Sequence, residues 1–111
     1  MNSYFVALEL VLQAQERLGK FVWEEDRLRG ICEKVECLSK EFEGEFVDVE
    51  VDEQHEQLIL GFECEEIIVY QQPNLFAELA KTVSGVRFHC LQGNAVRVEF
   101  TLDGLWKKEN R

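Results

Sequence analysis

Apolar positions in this chain follow two rhythms, a helical one first and an alternating one after residue 45. Over residues 3–18, Tyr4, Leu8, Val11 and Leu18 fall on one helical face, with Phe5 and Leu12 beside them. Ser3 is the expected N-cap and Gly19-Lys20 the expected stop. Val6 and Leu10 widen the apolar surface beyond one stripe, and such a helix is either enclosed on several sides or meets a partner. Phe21-Val22-Trp23 forms a short apolar linker. Glu24-Glu25-Asp26 then opens a second helix, where carboxylates favour the positive end of the helix dipole. Its stripe is Leu28, Ile31, Cys32, Val35, Leu38 and Phe42, and Glu43-Gly44-Glu45 ends it. The alternative is one bent helix over 3–42 with a weak point at Gly19.

Alternation then predicts a strand over 46–52, with Val47, Val49 and Val51 inward and Asp48, Glu50 and Asp52 outward. Leu58, Leu60 and Phe62 share a face of the next strand. Pairing Val51 with Leu58, Val49 with Leu60 and Val47 with Phe62 needs an even loop, Gln54-His55 or 53–56. The stretch 58–70 is the most apolar β-like segment. It reads as two adjoining strands broken at Glu63-Cys64-Glu65-Glu66, the second being Ile67–Tyr70, apolar on both faces and therefore central. Asn74 caps a helix predicted over 75–83, with Phe76, Leu79, Ala80 and Val83 on one side and Ser84-Gly85 as its stop.

A last hairpin follows. A three-residue loop, Gln92-Gly93-Asn94, sets Cys90 against Val96, Phe88 against Val98 and Val86 against Phe100, with Arg87 facing Glu99 on the outer side. Asp103-Gly104 turns the chain, Leu105-Trp106 folds back on the core, and residues 107–111 form a charged tail. The order α-α-β-β-β-α-β-β predicts an α+β fold, a five-stranded, mostly antiparallel sheet with helices on one face. With no repeat or long linker, residues 1–111 read as one domain, helical over 1–42 and β-β-β-α-β-β over 46–102.

Composition adds a charge argument. Hydrophobic residues make up 46% and charged residues 31%, an ordinary globular composition that argues against a disordered chain. The net charge is −10, and residues 1–72 carry 6 Lys+Arg against 18 Asp+Glu, whereas residues 73–111 carry 6 against 4. The acidic part repels phosphate backbones and anionic membranes, so neither nucleic acid nor membrane is an expected partner. Cys32, Cys37, Cys64 and Cys90 form no C-x-x-C pair and fall on apolar faces, as free thiols of a reducing compartment do. The apolar run 4–12 lacks a positive flank and a cleavage site, and is too short to span a membrane, so the expected location is the cytoplasm.

No strong catalytic or cofactor motif appears, and no cofactor is expected. Asp48, Glu50 and Asp52 stand about 6.6–6.8 Å apart along their strand and, with Glu63, are the carboxylates nearest to a divalent-metal site; alternation explains them equally as a solvated face. His55, Cys64, His89 and Cys90 carry zinc-ligand atoms at spacings unlike a finger or ribbon. His55, in an acidic loop, is expected to be a plain polar turn residue.

In the order helix, three strands, helix, two strands over residues 24–102, in its acidity and in its size, the chain is similar to type III secretion chaperones. That resemblance implies a dimeric cytoplasmic protein that holds a secreted partner; the long C-terminal helix of that family has no counterpart here. The leading expectation is a non-enzymatic interaction module that self-associates, as a homodimer, or holds a protein partner. Its contact surface is expected at Tyr4, Phe5, Leu8, Val11 and Leu12, with Trp23 as an exposed aromatic, as is Trp106. The alternatives are a small divalent-metal enzyme using the strand carboxylates, and an acidic mimic of nucleic acid that inhibits a DNA-binding protein.

Overall fold

The computed structural model describes residues 2–19 and 23–103. The expected stop at Lys20, the linker residues Phe21 and Val22, the turn at Gly104, Leu105, Trp106 and the tail lie outside them.

Helix α1 spans Ser3–Leu18 and α2 spans Glu25–Phe42, so the single bent helix is ruled out. The N-cap of α1 is Asn2 rather than Ser3: its side chain accepts a hydrogen bond from the Tyr4 N–H at 2.8 Å. Gly19, at φ +73°, closes the helix in the left-handed conformation that glycine tolerates best. The inner face of α1 is small as well as apolar: Ala7, Val11 and Ala14 are buried, and so is Gln15. The Gln15 Oε1 accepts the Trp23 N–H at 2.8 Å, which ties the end of α1 to the approach of α2. On α2, Ile31, Cys32, Val35, Leu38 and Phe42 are buried, as the stripe predicts.

The described residues form four strands, not five: β1 (Glu45–Asp52), β2 (Gln57–Glu65), β3 (Gly85–Cys90) and β4 (Ala95–Asp103), in the order β1-β2-β4-β3 and all antiparallel. The β1–β2 loop is the even one, 53–56, and Val51 pairs with Leu58 and Val49 with Leu60. A bulge between Phe46 and Asp48 then shifts the register. Phe46, not Val47, meets Phe62 and turns inward, and Val47 is the extra residue.

The expected third strand is a helix. Strand β2 does not break at 63–66 but runs straight to Glu65, paired with β4 up to Ala95. The Glu66 N–H donates to the Asn94 carbonyl, and α3 occupies Glu66–Gln71. A four-residue apolar run fits either state by pattern alone. Here β4 already fills the place beside β2, and a helix lets Ile68 and Val69 reach the core while Ile67 and Tyr70 stay outside. Pro73 then starts α4 (Pro73–Ala80), with Gln72 as its N-cap in place of Asn74, and the helix ends before Ser84-Gly85. Phe76 and Leu79 are buried, Val83 is half-buried and Ala80 is exposed. The helix–three strands–helix–two strands order that suggested a secretion chaperone is therefore absent.

Inward side chains of the sheet join those of the helices in one cluster. Phe42 is its centre, with ring centroids 5.5 Å from Phe62, 5.3 Å from Phe76 and 5.8 Å from Phe100. Gly44 follows because a Cβ there would strike the Phe42 ring. The β3–β4 hairpin has the predicted register, Cys90 with Val96, Phe88 with Val98, Val86 with Phe100 and Arg87 with Glu99, and Gly93 at φ +75° sits in its loop.

Candidate interaction surface

Alternation divides each strand between the helix-packed face and an outer face. On the outer face, Arg97 of β4 reaches over β2 to β1. Its Nη1 and Nη2 donate to the two Asp48 carboxylate oxygens at 2.9 and 2.8 Å, and its Nε donates to Glu99 at 2.9 Å. Gly61 lies between: a Cβ there would collide with the Asp48 carboxylate and the Arg97 guanidinium. His89 Nε2 adds a contact to Glu99 at 3.2 Å. The hydrogen bond to Asp48 pushes the Arg97 pKa up, against the effect of burial and with help from Glu99.

These pairings decide what the acidic row is able to do. Asp48, Glu50 and Asp52 do face outward as predicted, but Asp48 is held bidentately by Arg97. Asp52 receives the His55 backbone N–H at 3.2 Å and lies 2.8 Å from His55 Nδ1, and that contact lowers its pKa. Glu63 stands opposite Glu45. Among the described residues, no group of three or more His, Cys, Asp or Glu side chains is placed to hold a metal ion. The zinc-capable residues are dispersed too. Cys64 and Cys90 lie on the helix-side face across Val96, His89 is on the opposite face, and His55 sits in the β1–β2 loop. All four cysteines are free thiols. Cys32 and Cys64 are buried, which raises both pKa values, that of Cys32 to about 11; Cys37 and Cys90 are exposed, contrary to expectation.

The expected contact surface on α1 is largely spent on the core. Val11 is fully buried, Tyr4 and Leu8 are half-buried against the core cluster, and Trp23 is 4% exposed rather than an exposed aromatic. Only Phe5, at 62%, and Leu12, at 42%, remain as substantial apolar surface.

A second apolar surface, which the sequence pattern did not single out, lies at the far end of the sheet. Val86 and Phe88 of β3 project toward the helix side, but α4 covers them incompletely. Between α3–α4 and β3 runs a groove of about 440 Å³, walled by Val69, Pro73, Phe76, Ala77 and Ala80 on one side and Val86 and Phe88 on the other. The Phe88 ring meets Phe76 edge-on at 5.4 Å and is still 47% exposed. Its position in the alternation labelled Phe88 as core; the short α4, ending at Ala80, is why it is not.

The two edges of the sheet differ. Strand β1 packs against α1, carries the bulge at Val47 and presents outward carboxylates, devices that discourage another strand from pairing. Strand β3 has no bulge and no carboxylate, and no strand lies beside it among the described residues. Among the described residues, no helix is long and apolar enough to cross a membrane. Comparison of this chain with protein-family models, curated proteins and solved structures gives no match.

Proposed function

We propose that this protein is a non-catalytic interaction module that holds a protein partner at the β3 edge and the groove beside it. One observation carries this reading: of the two sheet edges, β3 alone combines an edge that no described strand covers with a partly exposed aromatic over an apolar groove. Exposed backbone donors and acceptors beside apolar pockets are the two elements of strand-addition recognition, the first giving affinity and the second giving specificity. The outer sheet face supports the metal-enzyme reading less well, because Arg97 and His55 already engage two of its carboxylates. Relative to the expectation from sequence, the contact surface moves from α1 to β3.

Parallel captures from the source cell's lysate with wild-type, Phe88→Glu and Phe5→Glu baits test this. A burial-weighted contact at Phe88 is worth roughly 1.5–3 kcal/mol, so the charged variant loses its partner by ten-fold or more. The expected result is loss from Phe88→Glu and retention by Phe5→Glu, with both variants keeping the wild-type circular dichroism. The reverse pattern would return the surface to α1, and equal capture by all three baits would refute the assignment.

A further inference from the structure

We infer that β3 accepts an acidic extended segment as a fifth strand, its side chains alternating between apolar residues and carboxylates. The inference rests on the interaction reading above and specifies the partner's chemistry.

Three observations converge on it. First, an antiparallel ladder uses only alternate residues of β3 toward β4, so the other residues direct their N–H and C=O groups to the outer edge, where no described strand lies. Second, β3 sorts its side chains by face. Val86 and Phe88 border the groove, while Arg87 and His89 stand on the outer face. Third, β3 contributes Arg87 and His89 to that outer face, where Glu99 of β4 stands opposite Arg87 and contacts His89 at 3.2 Å. The six residues of β3 include no carboxylate, whereas β1, β2 and β4 each carry two or more. Arg87 is exposed and forms no ion pair with a described residue, unlike Arg97, whose guanidinium is taken up by Asp48 and Glu99.

An added strand places its residues directly opposite those of β3, and opposite residues share a face. Its apolar side chains then lie beside Phe88 and over Ala77 and Ala80, and its carboxylates lie beside Arg87 and His89. A second copy fits less well. Two β3 strands paired about Phe88 set Arg87 against His89, which offers no charge complement, and bring together two chains of net charge −10. The β1 edge of a second copy offers carboxylates but is bulged and packed with α1.

Fluorescence anisotropy with two labelled synthetic heptapeptides, one alternating valine with glutamate and the other valine with lysine, tests the inference. Cross-strand charge pairs contribute a few tenths to about 1 kcal/mol each, so exchanging the attraction to Arg87 for a repulsion shifts affinity by roughly three-fold or more. The glutamate peptide is expected to bind the wild-type protein at least that much more tightly. Arg87→Glu is expected to reverse the preference, and Phe88→Glu to weaken both. Tighter binding of the lysine peptide, indifference to Arg87→Glu, or no binding of either peptide would overturn the inference. So would a wild-type dimer in light scattering that Phe88→Glu dissociates, since a second copy would then be the occupant. If lysate capture still depends on Phe88 when the peptides fail, the interaction reading stands and only the acidic-strand inference falls.

Discussion

Gly61 explains why three strands of the sheet are bound together on the solvent side. Its missing Cβ leaves the space in which Arg97 crosses from β4 to Asp48 on β1. Gly61→Ala pushes that pair apart, and because Asp48 is half-exposed the loss is about 1 kcal/mol or less. In an Asp48→Ala background the same substitution is expected to cost much less, since the pair is already gone; a double-mutant cycle from urea denaturation measures this coupling, and additive costs would contradict it. Glu99 yields a pH prediction. Burial pushes its pKa up, but hydrogen bonds from Arg97 and His89, with their charges, outweigh burial and hold it below the ordinary value of 4.5. A folded value below the unfolded one contributes stability that is fully present above 4.5 and is lost as pH falls through the folded value. Wild-type stability is therefore expected to fall more steeply below about pH 4.5 than that of Glu99→Gln, and parallel curves would refute the linkage. At this scale the sequence showed that Asp48 faces solvent. It gave no sign that an arginine 49 residues away binds it, because that contact depends on β4 lying beside β2.

Among the elements, the two hairpins were legible and the segment between them was not. Alternation on both arms fixed the β3–β4 register, and parity restricted the β1–β2 loop to an even length, since a one-residue slip would turn each apolar set outward. The bulge escaped notice because Phe46 and Val47 are both apolar, so the pattern accommodates either as the inward residue. Ile67–Tyr70 escaped because a short apolar run has no period of its own; its state follows from the place beside β2 being taken. The helical assignment has a direct consequence. Ile67→Asp and Tyr70→Asp, at positions 49% and 71% exposed, are each expected to cost within about 0.5 kcal/mol in urea denaturation. In a central strand covered on both faces, the same substitutions would bury a carboxylate and cost several kcal/mol. A loss of that size would contradict α3.

For the whole molecule, the charge and the apolar surface are arranged at opposite ends of the sheet. Acidic residues are concentrated in residues 1–72, which include β1, while β3, which carries no carboxylate, and every groove residue but Val69 belong to the near-neutral remainder. The charge asymmetry was legible in the sequence. The place of the apolar surface was not, because exposure depends on how much of the sheet the helices cover. The long, broadly apolar α1 spends its surface on α2 and β1, and the eight-residue α4 leaves Phe88 in view. Capture that fails with Phe88→Glu and survives with Phe5→Glu is the expected signature of that arrangement.

Amide hydrogen exchange of the protein alone and with its captured partner bound tests the β3 assignment most directly. The account predicts alternate amides of β3, residues 85–90, that exchange quickly in the protein alone and become protected in the complex, while β1 and the Phe5–Leu12 side of α1 are unchanged. Protection that appears on α1 and leaves β3 unaltered would contradict it.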